Sequence, residues 1–201
     1  MKRSTLVLWY ASTLVLLMSA GTATAESLEN QIKKIEKAYQ QTASLSAEFV
    51  QTTRVEVLDK TVTRHGRFFY ARGGKLRIEY SGDPMTHYIS DGSHFWIWEP
   101  KAKKLDTTSL EEAGLPDEAL NFLGGFGNLR DSFQITGGKD GFLKLKPQKK
   151  SSYRSLRGKF NDAGFLTDLT IHTASGNISQ YRFFNLETNK PLSENLFLPP
   201  L

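Results

Sequence analysis

From Ser27 to Gln41 the apolar residues Leu28, Ile32, Ile35 and Tyr39 recur at helical spacing, and Ser27 stands where an N-cap would. The pattern predicts one amphipathic helix. After Ser44 the period falls to about 2, and runs rich in Phe, Tyr, Trp, Thr, Val and Ile alternate with turn residues. Strands are predicted over Ser46–Val57, Thr61–Ala71, Lys75–Ser81, Met85–Ser90, His94–Glu99 and Lys104–Thr107. Their connections, among them "GG", "GDP" and "DGS", are too short for a parallel crossover, so this half reads as an antiparallel meander.

The segment Leu110–Leu129 interrupts the strands with a predicted helix that Pro116 opens and Gly124-Gly125 ends. Strands then return over Phe133–Thr136, Phe142–Lys146, Ser155–Asn161, Leu166–Thr173 and Ile178–Asn185. The fold class is mainly β (α+β), a large curled antiparallel sheet with an N-terminal helix and an inserted helix. There is no repeat of fixed period and no linker composition, so one domain is expected over 26–201.

Residues 1–25 read differently. Lys2 and Arg3 precede an apolar run from Leu6 to Met18, and Ala23-Thr24-Ala25 supplies a small-residue cleavage pattern, the layout of a secretory signal peptide. The run is shorter than the ~20 residues that span a bilayer. No cysteine follows it to accept a lipid, and the chain has none at all, so disulfide staples are excluded and the core must hold the fold alone. Of the net charge of +5, Lys2 and Arg3 account for two, which leaves no footprint of nucleic-acid binding.

Motifs for catalysis are missing. His65, His87, His94 and His172 show no zinc-type spacing, and no nucleophile elbow, Walker loop or dinucleotide fingerprint occurs. Glu111-Glu112 at a predicted helix start has an ordinary explanation in the helix dipole. Neither an enzyme, a cofactor nor a metal is expected.

The aromatic runs "RFFY" and "FWIW" are apolar on both faces of their strands and need cover on both. Core packing is the ordinary explanation; the lining of a cavity for an apolar ligand is the functional one. Phe68, Tyr70 and Arg72 share a face by alternation, and Leu76, Ile78 and Tyr80 form the next set beyond the Gly73-Gly74 turn. An arginine in line with an apolar face is costly to bury unpaired. Either the bend carries it to solvent, or its guanidinium bonds backbone carbonyls of something that closes over the mouth, the inserted Leu115–Phe126 helix being the candidate.

The order of motifs resembles the periplasmic outer-membrane lipoprotein carrier protein (LolA) family. Phe49 and Gln51 stand in its "F-x-Q" after the opening helix, "ARGGKLRIEY" is similar to its central strands, and "SDGSHFWIWEP" to its D-G-x-x-L-W-x-Y-x-P pattern. The resemblance implies an unclosed β-barrel whose hollow is covered by a helical lid. It implies a carrier that takes lipidated lipoproteins from an inner-membrane ABC-type releasing complex and hands them to an outer-membrane receptor. It places the lid-latching arginine at Arg72, and hollow-lining positions at Leu76 and Ile78 and, on the lid, at Leu120 and Leu123. With the alternation, Phe68, Tyr70 and Tyr80 join that lining. Two positions depart from the family pattern: Gly73 stands where a proline is usual, and Ile78 where an aromatic is common. The remaining readings are a lipid- or lipoprotein-sensing regulator of the same fold, a periplasmic lipid or glycan hydrolase, and a ligand-free envelope protein whose aromatics are all core.

Overall fold

The computed structural model describes residues 27–108, 129–137 and 141–200, and the predicted helix with its Leu120 and Leu123 lies outside them. Helix α1 (Leu28–Gln40) begins at Ser27, whose side chain accepts a hydrogen bond from the Asn30 N–H, and buries Ile32, Ile35 and Tyr39. The eleven predicted strands all form: β1 (Ser44–Val55), β2 (Lys60–Ala71), β3 (Lys75–Ser81), β4 (Thr86–Asp91), β5 (Phe95–Glu99), β6 (Lys104–Thr108), β7 (Phe133–Gly137), β8 (Phe142–Pro147), β9 (Tyr153–Phe160), β10 (Leu166–Thr173) and β11 (Ile178–Thr188).

The first six are the meander that their short connections require, but the sheet as a whole is not sequential. Its order is β6-β5-β4-β3-β2-β1-β11-β10-β9-β8-β7. The antiparallel pairing of β1 with β11, from Leu45 against Thr188 to Arg54 against Ile178, joins two meanders at the middle of one sheet. The sheet curls without closing, with β6 and β7 as its edges. Differences from the predicted pattern are local. A 3₁₀ turn takes Glu56–Leu58 where strand was expected, with Asp59 left-handed after it. A short helix α2 (Leu129–Ser132) leads directly into β7.

The main core lies on the inner face, where Leu45, Phe49, Phe68, Ile78 and Tyr80 from one meander and Leu143, Leu145, Leu156 and Leu169 from the other are packed with α1. The outer face has cover over β3 and β4. After β11 the chain crosses β3 and β4 in a second 3₁₀ turn (Glu194–Phe197), and the carbonyl of Leu196 accepts from Arg77 Nη1 at 3.0 Å. Phe197 and Ile89 are both buried there, outside the main core. Burying Ile89 under the chain's own tail removes an edge-side apolar patch that would otherwise face water.

Candidate functional site

β2 carries the inner face of one half. Its inward positions run Arg64, Gly66, Phe68, Tyr70, and the register pairs Phe68 with Ile78 and Tyr70 with Leu76 on β3. The five predicted lining residues within the described chain, Phe68, Tyr70, Leu76, Ile78 and Tyr80, all lie here and are buried. β1 adds Leu45, Ala47 and Phe49 on the same face. Phe49 makes an edge contact with Tyr80 at 5.2 Å between centroids and lies 6.1 Å from Phe183. Gly66 creates the room: a Cβ there would stand 2.3 Å from Phe49 Cζ. The sequence marked Phe49 only as a motif residue and did not single out Phe183 or Tyr181, whose membership in this wall depends on the β1–β11 pairing.

Helix α1 lies over this face and is held at both ends. The Leu129 N–H donates to Glu36 Oε1 at 3.1 Å, and Arg130 pairs with Glu29. The Tyr39 hydroxyl accepts from the buried Leu166 N–H at 3.1 Å, and burial pushes its phenol up to about 12. Gly164 brings the β9–β10 turn against the helix at Ala38 and Lys34.

At the C-terminal end of α1 stands Arg72. Its Nη2 donates to the Gln40 carbonyl at 2.6 Å and its Nε to the Thr42 carbonyl at 3.1 Å, while its own N–H donates to the Ala43 carbonyl at 3.0 Å. The arginine is therefore bonded to backbone carbonyls of the helix end, where carbonyls lack intrahelical partners and the helix dipole favours a cation. The predicted partner, the inserted helix, lies outside the described residues. The turn that aims Arg72 has Gly73 at φ +85° and Gly74 at φ +78°, so proline, fixed near −65°, cannot take position 73 in this turn. Gly92 packs against it so closely that a Cβ would meet the Gly73 oxygen at 1.9 Å. The other basic residues of this stretch are also partnered: Arg67 and Arg77 pair with Glu79 at 2.6 and 2.7 Å, and Lys75 pairs with Glu194.

Beneath the end of α1, the space between Tyr39, Leu45, Ala47, Phe68, Leu166, Phe183 and Leu186 is about 10 Å³. That is barely room for one water. This part of the inner face is filled by the chain's own side chains. Two open depressions of about 440 and 430 Å³ lie on the outer face, but Arg157, Asp168 and Arg182 in one and Lys144, Arg154 and His172 in the other make them polar surface rather than an apolar site.

Residues 40–199 match the family described as outer membrane lipoprotein carrier protein LolA. This chain belongs to that family. The outer-membrane lipoprotein carrier protein of Azotobacter vinelandii is 26% identical over 195 residues, covering 91% of each chain. That of Haemophilus ducreyi is 23% identical over 185 residues, 92% of this chain and 87% of the relative. Among solved structures, a LolA superfamily protein from Nitrosomonas europaea superposes with a TM-score of 0.52 at 11% identity, covering 87% of this chain and 99% of that one. An outer membrane lipoprotein-sorting protein domain from Vibrio parahaemolyticus gives 0.51 at 13% identity, covering 83% and 94%. At such identities these two likenesses speak for the fold alone. In this LolA-family chain Arg72 is engaged with the end of α1, and the wall behind it is aromatic.

Proposed function

We propose that the chain, after cleavage following Ala25, is a periplasmic carrier that binds the acyl chains of lipoproteins released by an inner-membrane ABC-type complex and delivers them to an outer-membrane receptor. The single observation that supports this most is the apolar inner face closed by a helix whose last carbonyls are bonded by Arg72. An acyl chain in water costs about 0.8 kcal/mol for each exposed methylene, so leaving a membrane requires a compensating apolar surface. Phe68, Tyr70, Leu76, Ile78 and Tyr80 supply one, and Leu120 and Leu123, which lie outside the described residues, are proposed to add to it. The same surface exposed in the empty protein would promote association, so closure by α1 protects it. Release requires that closed and loaded states differ little in free energy, and Arg72 sets that balance by favouring the closed form.

The test loads the purified mature chain with a synthetic triacylated lipopeptide in detergent, removes the detergent, and measures retention in solution and transfer to outer-membrane vesicles. Retention in solution followed by transfer is expected. Failure of the wild type to hold the lipopeptide once detergent is removed overturns the reading.

A further inference from the structure

Two arginines flank the apolar stretch of the inner face of β2, Arg64 within the strand and Arg72 just past its end. Arg64 precedes Gly66, Phe68 and Tyr70 on that face, and Arg72 follows eight residues after it, about 26 Å away along an extended strand. Arg72 is bonded to α1, whereas Arg64 reaches into a cluster of polar groups in an otherwise apolar wall. Its guanidinium carbon sits 4.0 Å from the centroid of Tyr80, and its Nη2 donates to the Pro84 carbonyl at 2.9 Å. Gln51 pairs with Arg64 across β1 and β2, and with Tyr181 across β1 and β11, so all three side chains share the inner face. The Tyr80 and Tyr181 hydroxyls are hydrogen-bond partners, and Tyr88 lies 6.1 Å from Tyr80 between ring centroids. Burial raises the phenols of Tyr80, Tyr88 and Tyr181 against the opposing field of Arg64, which keeps these hydroxyls protonated as donors.

One atom of this cluster is unsatisfied. Gln51 Nε2 donates to Thr53 Oγ1 at 2.9 Å, and Thr53 is in turn 2.9 Å from Ser179 Oγ, but Gln51 Oε1 is buried with no hydrogen-bond partner. A buried acceptor without a donor costs about 1–3 kcal/mol, so a ligand that brings an N–H to it gains that amount back. A purely apolar wall would have no use for either Gln51 or Arg64.

We propose that Arg64, Gln51 and the Tyr80–Tyr88–Tyr181 hydroxyls form a polar subsite that holds the linkage region of an acylated peptide, where acyl chains join through amide and ester groups. This inference rests on the carrier reading. Arg64 and the tyrosine hydroxyls donate to carbonyl oxygens, and Gln51 Oε1 accepts the amide N–H. A glycerophospholipid offers esters and a phosphate to Arg64 but no amide N–H to Gln51, so the cluster favours lipopeptide over membrane lipid.

The test compares three probes on the mature wild type, Gln51→Leu and Arg64→Met: N-phenyl-1-naphthylamine, which has only an apolar body, a synthetic triacylated lipopeptide, and phosphatidylglycerol with a fluorescent chain. The dye is expected to bind all three proteins equally, which also reports that the variants are folded. Lipopeptide affinity is expected to fall about three- to tenfold in Gln51→Leu, the worth of one hydrogen bond, and at least as much in Arg64→Met. Phosphatidylglycerol is expected to be insensitive to Gln51→Leu. Unchanged lipopeptide binding in both folded variants overturns the subsite and leaves the carrier reading standing. Equal losses for lipopeptide and phosphatidylglycerol in Gln51→Leu overturn the assignment to amide linkages. Absence of lipopeptide binding in the wild type overturns the carrier reading and the subsite with it.

Discussion

Arg72 Nη2 donates to the carbonyl oxygen of Gln40 at 2.6 Å, so a residue at the tip of the β2–β3 hairpin bonds the last turn of a helix 32 positions earlier in the chain. The contact joins the wall of the inner face to the element that covers it. A cation at a helix C-terminus meets unpaired carbonyls and the negative end of the dipole, so the bond is favourable wherever the helix docks.

Replacing Arg72 by Leu removes the bonds to Gln40 and Thr42. Hydrogen bonds to a charged group are worth about 1.5–3 kcal/mol when shielded, and partial exposure here brings the sum to roughly 1–3 kcal/mol. Hydrogen exchange at the end of α1 should quicken, apolar probes should bind more tightly, and loaded cargo should transfer less readily to acceptor vesicles. Arg72→Lys should restore little, because an ammonium cannot present a planar fork to two carbonyls at once. Transfer by Arg72→Leu at the wild-type rate, with uptake also unchanged, would show that the bond does not govern closure.

Gly66→Ala should destabilise the fold by about 2–3 kcal/mol through overpacking. Its Cβ would stand 2.5 Å from the Glu79 carbonyl as well as against Phe49, and backbone cannot step aside as a side-chain tip can. Urea unfolding measures it directly. A second substitution, Phe49→Leu, should recover part of the loss by vacating the space above residue 66.

Tyr39→Phe keeps the ring against Phe165, at 5.4 Å between centroids, and removes only the oxygen that accepts from Leu166. The N–H is then left without its buried acceptor at a cost of about 1–3 kcal/mol. For a chain of this size that lowers the melting temperature by roughly 2–12 °C. A melting temperature equal to the wild type would mean that water replaces the hydroxyl.

Stability should fall at both ends of the pH range for different reasons. Burial raises Tyr39 and Tyr80 above their ordinary value of 10.0, so the folded form binds those protons more tightly than the unfolded form. Their contribution is complete below about pH 10 and is lost as the pH rises toward about 12. His87 is shifted the other way, lowered from 6.5 chiefly by burial and further by Arg77 and Arg67, against the opposing charge of Glu79. The unfolded chain then takes up that proton first, and stability declines as the pH drops below 6.5. Chemical denaturation across pH should show both limbs, and His87→Gln should remove the acid shoulder while leaving the alkaline limb intact.

Periodicity alone carried the strand inventory. Each of the eleven strands stands where alternation and turn residues placed it, because a half-buried strand must alternate and a tight turn must use the residues that fit it. The sequence likewise showed that Arg72 shares a face with Phe68 and Tyr70, since side-chain direction in a strand has a strict period of 2. It did not show what Arg72 bonds. Thr42 and Ala43 reach it because β1 pairs with β2 in the register that sets Ser44 against Ala71, and Gln40 joins them through the way α1 runs into β1. The pairing of β1 with β11 is also non-local. Nothing in either strand's own pattern names the other, yet that pairing brings Tyr181 and Phe183 beside Phe49 and closes Gln51 into a polar cluster. Local spacing determines what each segment is and which side it presents. Which sides meet is decided by the one arrangement that buries all of them together, and that is a property of the whole chain.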